Sequence, residues 1–238
     1  MGKKRPESKI DDHFYLDWFI PTEDQKKIIE SMDDHDLTIV KAPSGCGKSA
    51  TVLWKALKEY RVRNFNKIII IKNPTEAGDD KIGYLTGDST QKLSYHMDSM
   101  KSLFYQFISK NKLENDVSNE NIVFDIPNFL LGKTLDNSII ILEEAQTMSP
   151  NTIKLCIERA GVDSIVVVVG DSAQAYSVKS RNDGLADLIG RMTVERFGGE
   201  VDSRYPEMVG YVEMSHDNNM RSDLSHLITK VYDAGHNG

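Results

Sequence analysis

The most informative segment of the sequence is Ala42-Pro43-Ser44-Gly45-Cys46-Gly47-Lys48-Ser49. An apolar run, Leu37 to Val40, precedes it, and an amphipathic helical pattern begins near Lys48. In a glycine-rich loop between a strand and a helix, successive backbone N–H groups wrap an anion and the helix N-terminus adds its positive end. The stretch therefore predicts a phosphate-binding loop in a nucleotide-binding protein. The alternative is an ordinary glycine-rich turn.

Each part of the loop has a predicted role. Lys48 is expected to reach the β- and γ-phosphates, and Ser49 to offer its hydroxyl to Mg²⁺. Gly45 and Gly47 let the backbone approach the phosphates closely. The first position is Ala42 rather than glycine, so the pattern is met in its looser form. The predicted nucleotide-binding residues of the loop are Pro43, Ser44, Gly45, Cys46, Gly47, Lys48, Ser49 and Ala50.

Composition bounds the class of protein. The chain has 238 residues with 39% hydrophobic and 27% charged residues, which is ordinary for one globular α/β domain. We predict an N-terminal extension over residues 1–21 and one domain over 22–238. No apolar stretch approaches the roughly 20 residues that a membrane helix needs. A net charge of −7 argues against a broad electrostatic footprint for nucleic acid.

The two cysteines give no disulfide framework and no metal-ligand spacing, which fits a reducing cytosol and a cytoplasmic protein. Cys46 lies inside the phosphate loop, where it is either an oxidation-sensitive thiol or a small residue at a variable position. We favour the second interpretation.

Apolar runs predict the strands of the sheet. Near-continuous Ile and Val indicate strands that are buried on both faces, as in a parallel sheet. The four strong candidates are Leu37 to Val40, Lys67 to Ile71, Ser138 to Leu142 and Ser164 to Val169. Two weaker candidates are Asn121 to Asp125 and Tyr211 to Met214.

Helical patterns alternate with these strands, which predicts a doubly wound, mostly parallel α/β sheet of the P-loop NTPase class. One helix is expected over Thr22 to Ser31, with Thr22 as its cap and Gln25 in its first turn. The other apolar sets are Leu93, Met97, Met100, Phe104 and Phe107; Ile153, Ile157 and Ala160; and Leu224, Leu227, Ile228 and Val231. The polar stretch Asp79 to Thr90 is expected to form a loop at the carboxyl edge of the sheet, where ligands bind.

A second functional signal follows the strand that ends at Leu142. Glu143 is a carboxylate at the end of a buried strand, where P-loop enzymes hold Mg²⁺ through its water shell. Glu144 would then orient or deprotonate the attacking water, which favours hydrolysis over mere binding. The alternative is a solvated acidic helix start.

A third signal is Gly170-Asp171, followed by Gln174, after the strand Ser164 to Val169. Asp171 and Gln174 are expected to bracket the γ-phosphate and to report its loss to the rest of the protein. A Gly-Asp turn is common after a strand, so this motif depends on the other two.

Taken in order, these motifs resemble those of the PhoH-like ATPases, whose ATP-binding core is related to that of superfamily-one helicases. The resemblance runs from about Thr22 to Asp233. It also includes Asn73-Pro74-Thr75-Glu76-Ala77-Gly78, Gly83-Tyr84-Leu85-Thr86-Gly87-Asp88 and Leu131-Gly132-Lys133-Thr134-Leu135. The resemblance implies that ATP is held by the phosphate loop, that Mg²⁺ lies near Glu143, that Glu144 activates water and that Gln25 reads adenine.

Two positions depart from the family pattern. The family usually has Asp-Glu-Ala-Gln where this chain has Glu143-Glu144-Ala145-Gln146, and usually Arg-Pro where this chain has Asn73-Pro74. The longer Glu143 should still reach a metal-bound water. The absence of the arginine puts in doubt any phosphate or nucleic-acid contact that it would make.

Phosphoryl transfer often uses an arginine to neutralise charge in the transition state, supplied by the same chain or by a neighbouring subunit. The two candidates are Arg181 and Arg221, each of which could equally be a solvated surface residue. If Arg221 acts between subunits, the protein must form a ring or a stack.

These patterns favour a Mg²⁺-dependent ATPase, with catalytic residues Lys48, Glu144, Gln174, Arg181 and Arg221. The alternative function is a non-catalytic ATP-dependent switch or scaffold. Remodelling of RNA or another single-stranded nucleic acid is a further hypothesis, for which one core of this kind would have to work in a homo-oligomeric ring. The chain lacks the guanine-reading Asn-Lys-x-Asp pattern, which tilts the prediction toward ATP.

Overall fold

The computed structural model describes residues 13–73, 98–171, 183–196 and 199–215, together with Leu224, Leu227 and Val231. The α-helices are α1 (Glu23–Asp34), α2 (Lys48–Arg61), α3 (98–104), α4 (Lys110–Ser118), α5 (Pro150–Ile157) and α6 (Gly184–Met192). The strands are β1 (Leu37–Lys41), β2 (Lys67–Lys72), β3 (Ile122–Asp125), β4 (Ser138–Glu143), β5 (Ile165–Gly170), β6 (Thr193–Glu195), β7 (Val201–Ser203) and β8 (Val209–Glu213). Short 3₁₀ helices span Pro127–Leu130 and Ala145–Thr147.

Six strands form one sheet in the order β3-β2-β4-β5-β1-β8, and every pairing in it is parallel. All six predicted strands are present in it, with bounds that differ by a residue or two. The central strands β4 and β5 are almost entirely buried, as their Ile and Val runs predict. The predicted doubly wound α/β sheet is confirmed. Strands β6 and β7 form a separate antiparallel pair.

Helices cover both faces of the large sheet. One apolar cluster lies beneath α1, α2, α3 and α4 and includes Ile28, Leu57, Phe104 and Phe107. The other lies beneath α5 and α6 and includes Ile153 and Leu185. Because β-branched side chains alternate between the two clusters along each strand, a single run such as Ile139 to Leu142 contributes to both cores.

Helix α1 begins as predicted. The Thr22 hydroxyl accepts from the backbone N–H of Gln25, and the Gln25 side chain accepts from the N–H of Thr22, which makes a reciprocal capping box. The helix continues to Asp34, beyond the predicted end at Ser31. It packs on α2 and on the edge strand β8.

Two predicted helical patterns end earlier than the apolar spacing indicates. Helix α3 ends at residue 104, and Phe107 lies in a turn, although its side chain is buried. Helix α5 ends at Ile157, and Ala160 forms a parallel bridge with Leu135. At Phe107 and Ala160 the sequence therefore keeps the apolar spacing of a helix, although the backbone is no longer helical.

Parts of other predictions lie outside the described residues: the Asp79 to Thr90 loop, Leu93 and Met97 of the third helix, and Ile228. Leu224, Leu227 and Val231 of the predicted last helix have helical backbone and are exposed. Among the helices that the structure describes, none is both long enough and apolar enough to span a bilayer.

Residues 13–21 pack on the domain rather than extending away from it. The Trp18 ring stacks on Phe107 with ring centroids 5.3 Å apart, and the Trp54 indole donates to the backbone oxygen of Leu16 at 2.8 Å. Leu16 is buried in the core beneath α2. The division at residue 21 remains a prediction, and residues 1–12 lie outside the described residues.

Gly210 lets α1 approach β8 closely. A Cβ at this position would collide with the Ser31 hydroxyl and lie 2.7 Å from His35 Nδ1. We expect Gly210→Ala to lower the free energy of unfolding by about 1–3 kcal/mol, because α1 must shift to make room. Urea denaturation measures this loss.

Gly190 in α6 provides the matched control for Gly210. It is exposed, and a Cβ there meets nothing within 4 Å. Gly190→Ala should raise the free energy of unfolding by roughly 0.5–1 kcal/mol through helix propensity alone. Equal effects of the two substitutions would contradict the packing argument.

Candidate nucleotide site

The phosphate loop joins β1 to α2 in a conformation that depends on its glycines. Gly45 and Gly47 have φ values of 86° and 74°, in the left-handed region that favours glycine. Gly47 caps α2, which begins at Lys48. Within the described part of the chain, the backbone N–H groups of residues 44–50 make no backbone hydrogen bond. The loop thus presents a set of donors at a helix N-terminus, which is the arrangement that binds a phosphate.

Three contacts fix the loop on the sheet. The Gln25 side-chain N–H donates to the Cys46 carbonyl at 3.2 Å, and Gln25 is only 1% exposed. The Ala42 N–H donates to the Gly170 carbonyl at 3.1 Å, and the Cys46 thiol contacts the Ser215 carbonyl at 3.5 Å. The loop is therefore held to α1, β5 and the end of β8. The predicted contact of Gln25 with adenine remains a prediction.

Cys46 is fully buried, and burial raises the pKa of its thiol above the ordinary value despite the nearby charge of Lys48. A buried thiol with a raised pKa is poorly nucleophilic. This environment supports the interpretation of Cys46 as a small packed residue.

Lys48 lies across the loop, where its ammonium group donates to the Pro43 carbonyl at 3.3 Å. The side chain is half-buried, so its charge stays beside the donors of the loop. Its predicted reach to the β- and γ-phosphates would require exchanging this carbonyl for a phosphate oxygen.

Ser49 and Glu143 meet across the site, as the sequence predicts. The Ser49 hydroxyl donates to Glu143 Oε2 at 3.0 Å, and Glu143 is 3% exposed. Burial, followed by the neighbouring charge of Glu144, raises the pKa of Glu143 to about 7, against the opposing effects of Ser49, Lys48 and Lys72. The second carboxylate oxygen of Glu143 is buried, and no described residue forms a hydrogen bond with it.

The orphaned Glu143 oxygen and the Ser49 hydroxyl fit a hard divalent cation, because Mg²⁺ prefers oxygen ligands. Among the described residues no group of three His, Cys, Asp or Glu side chains could hold a metal ion unaided. Mg²⁺ in nucleotide sites usually keeps several waters and takes one or two protein ligands plus phosphate oxygens, so two protein oxygens suffice.

Glu144 occupies the first position after β4, in the left-handed region with a φ of 53°. Its carboxylate accepts from the Gln146 side-chain N–H at 2.7 Å, and its backbone carbonyl accepts from the Thr147 hydroxyl at 2.7 Å. The residue is half-buried. This geometry differs from a solvated acidic helix start, because Glu143 still belongs to the strand and a 3₁₀ turn follows.

Gln146 is the residue that sequence reasoning left without a role. It is 1% exposed, and its side-chain oxygen accepts from the backbone N–H of Asp171 at 3.1 Å. Asp171 is itself buried at the end of β5. Two signals were available: Gln146 follows a buried strand by only three residues, and it matches the glutamine of the family's Asp-Glu-Ala-Gln pattern. The sequence gives no indication of which neighbour its amide meets.

Asn73 directly follows β2 at the carboxyl edge of the sheet. Its side-chain N–H donates to the Thr147 carbonyl at 2.8 Å, which ties the end of β2 to the turn after Glu144. The structure thus places the ends of β4 and β5 beside the phosphate loop and ties the end of β2 to the turn after β4. Three other predicted site residues, Gln174, Arg181 and Arg221, lie outside the described residues.

A phosphate loop after the first strand of a parallel sheet, faced by carboxylates at the end of β4, defines a P-loop nucleotide-binding protein. The model of the PhoH-like protein family matches residues 20–233, and the chain belongs to this family. The resemblance seen in the motifs is thereby confirmed.

Several curated relatives carry the same family name. A "PhoH-like protein" of Synechocystis sp. is 28% identical over 161 residues, covering 68% of this chain and 49% of the relative. A "PhoH-like protein" of Bacillus subtilis is 27% identical, covering 70% and 52%. "Protein PhoH" of Escherichia coli K12 is 26% identical, covering 88% and 56%. This chain therefore spans about half the length of the curated relatives that it matches.

Proposed function

We propose that this protein binds ATP with Mg²⁺ and hydrolyses it. The observation that carries the proposal is the contact of Ser49 with Glu143 at the mouth of the loop, with Glu144 held immediately beside it. A binding site needs the loop alone. A second carboxylate, fixed next to the metal position, is the part that hydrolysis needs.

Nucleotide binding is assigned to the loop and its neighbours. The N–H groups of residues 44–50, which make no backbone hydrogen bond within the described part of the chain, and the positive end of α2 receive the phosphates, and Lys48 neutralises the β- and γ-oxygens. Gln25 is proposed to read adenine from the α1 side, which requires its buried amide to exchange its hydrogen bonds with the Thr22 N–H and the Cys46 carbonyl for bonds to the base. Asp171 and Gln174 are proposed to lie near the γ-phosphate.

Ser49 and Glu143 would hold Mg²⁺, the serine through its hydroxyl and the carboxylate through a coordinated water. Held by these two residues, the ion would supply positive charge to the phosphate oxygens. Glu143 is buried at the end of β4, so its carboxylate would bring negative charge to the ion in a site shielded from solvent.

Glu144 is proposed to orient the attacking water and to accept its proton. The 3₁₀ turn and Gln146 hold the carboxylate at the end of β4, so little reorganisation is needed when the nucleotide arrives. Arg221 or Arg181 would supply the positive charge for the transition state.

The test is phosphate release from ATP by the purified chain, with and without Mg²⁺, alongside Lys48→Ala as the control for a contaminating ATPase. We expect turnover that requires Mg²⁺ and is lost in the variant. ATP binding without turnover in the wild type would support the switch or scaffold function instead.

Cytoplasmic action is a further proposal. Two others can be examined in the same assay: coupling to RNA or another single-stranded nucleic acid, and a homo-oligomeric ring. Light scattering measures the mass, and added single-stranded RNA tests the coupling. A monomer whose ATPase rate is unaffected by RNA would contradict both the ring and the RNA proposals.

A further inference from the structure

Gln146 joins two strand ends of the site through one buried side chain. Its amide N–H donates to Glu144 at 2.7 Å and its oxygen accepts from the Asp171 N–H at 3.1 Å. Both ends of the amide are thus used, and the side chain is only 1% exposed. An amide that forms a hydrogen bond at both its nitrogen and its oxygen has little freedom to rotate.

The neighbouring glycine supports this bridge. A Cβ at Gly170 would lie 2.5 Å from the Gln146 side-chain oxygen and 2.8 Å from Leu185 Cδ2. The backbone of β5 can therefore approach the Gln146 amide only because residue 170 has no side chain. The glycine of the Gly170-Asp171 pair is explained by this close approach.

Glu144 needs an external restraint. It directly follows a rigid buried strand, but it has a left-handed backbone and is half-buried, so its own packing does not fix the carboxylate. Among the described side chains, the Gln146 amide is the group that donates to this carboxylate. A displacement of about 1 Å at a reacting group can cost about a hundredfold in rate.

We propose that Gln146 is a positioning residue for hydrolysis, which fixes the Glu144 carboxylate relative to the end of β5. This inference rests on the proposed ATPase function and deepens it. Gln146 itself touches neither nucleotide nor water in this role. It acts through Glu144, so its removal should lower kcat and leave nucleotide affinity nearly unchanged.

The test variant is Gln146→Met, which keeps the length of the side chain and removes both hydrogen bonds. We expect kcat for ATP hydrolysis to fall about 10–100-fold. The dissociation constant for a fluorescent non-hydrolysable ATP analogue should change less than about threefold. The matched control is Asn64→Leu, because the Asn64 amide also donates to a glutamate, Glu59, at 2.6 Å but lies at the far end of α2.

A double-variant cycle identifies the route of the effect. In a Glu144→Gln background, Gln146→Met should lower the residual rate by less than about twofold, because the carboxylate that it positions is already absent. A full 10–100-fold loss in that background would overturn the inference. So would an unchanged kcat in the single variant, or an affinity loss as large as the rate loss.

Gln146→Glu serves if Gln146→Met does not fold. It retains the acceptor for the Asp171 N–H and replaces the donor to Glu144 by a repelling carboxylate. The same loss of kcat with preserved affinity is expected, and an unchanged kcat would overturn the inference. A wild type that binds ATP without turnover would overturn the proposed function itself, whereas an active wild type with active Gln146 variants overturns only this inference.

Discussion

Glu144→Gln is expected to lower kcat for ATP hydrolysis by about 10²–10⁴-fold, the usual contribution of a positioned general base. The amide has the shape of the carboxylate and keeps an oxygen that can accept from Gln146. It lacks the basic oxygen that would take a proton from water. Because Glu144 is not assigned to the phosphates or to the metal, the dissociation constant for ATP should change less than about threefold.

Single-turnover phosphate release, together with equilibrium binding of ATP, separates these two quantities. The control is Glu158→Gln, since Glu158 is an exposed glutamate at the end of α5 whose ion pair with Lys154 spans 3.6 Å. Exposed pairs of this kind contribute little. An equal kcat for wild type and Glu144→Gln would remove Glu144 from catalysis and favour the switch function.

The strand that ends at Glu143, directly before Glu144, was predictable because a strand buried on both faces requires a nearly continuous apolar run. Ser138 to Leu142 reads as unbroken Ile and Leu after its first residue, and parallel pairing of such strands brings their carboxyl ends to one edge. The meeting of Ser49 and Glu143 follows from that rule and from the position of the loop.

The contacts made by Gln146 and Asn73 could not be predicted in the same way. Both depend on the path of a three-residue 3₁₀ turn and on the sheet order, which places β4 between β2 and β5. Apolar spacing carries no information about either. Apolar spacing also fails to show where a helix ends. Phe107 and Ala160 continue a helical spacing in the sequence, but Phe107 lies in a turn and Ala160 in a β-bridge.

The cap of α1 shows the opposite case. Thr22 and Gln25 form their hydrogen bonds within four residues, so local chemistry alone predicts them. The further contact of Gln25 with the Cys46 carbonyl joins residues 21 positions apart, and only the fold reveals it. Local signals therefore predicted where elements begin, and tertiary structure decided what their side chains hold.

The second large effect concerns stability. We compare the free energy of unfolding of Glu143→Gln with that of the wild type, both without nucleotide. The difference is expected to favour the variant by roughly 2–3 kcal/mol more at pH 8 than at pH 5. Burial, followed by the charge of Glu144, raises the pKa of Glu143 from the ordinary 4.5 to about 7 in the folded state. The unfolded chain therefore loses this proton first as the pH rises.

Because the unfolded chain loses this proton first, ionisation of Glu143 lowers the stability of the folded state. Below about pH 4.5 the residue is protonated in both states and costs nothing, whereas between about pH 4.5 and 7 only the folded state still holds the proton. Folding stability of the wild type thus falls across this range as the pKa of Glu143 is approached, and it levels off above pH 7. Glutamine does not titrate, so the difference between variant and wild type should grow from pH 5 to pH 8.

Urea denaturation at pH 5, 6, 7 and 8 measures that difference, with Glu59→Gln as the control. Burial tends to raise the pKa of Glu59, but hydrogen bonds from Lys55 and Asn64 outweigh it and the net pKa is lowered. Glu59 is therefore ionised in both states above pH 6, and its variant should differ from wild type by a constant amount there. A pH-independent difference for Glu143→Gln as well would contradict a protonated, buried Glu143.

Adding Mg²⁺ and ADP should reduce the stability advantage of Glu143→Gln over the wild type at pH 8. The ionised Glu143 is costly when it is alone and becomes favourable once its charge faces the cation. A ligand that binds only the folded state adds about 2.7 kcal/mol of stability at a hundredfold excess over its dissociation constant. Glutamine offers a neutral oxygen and should gain less. If Mg²⁺ with ADP stabilises both proteins equally, Glu143 does not hold the ion, and its burial must be explained without a metal.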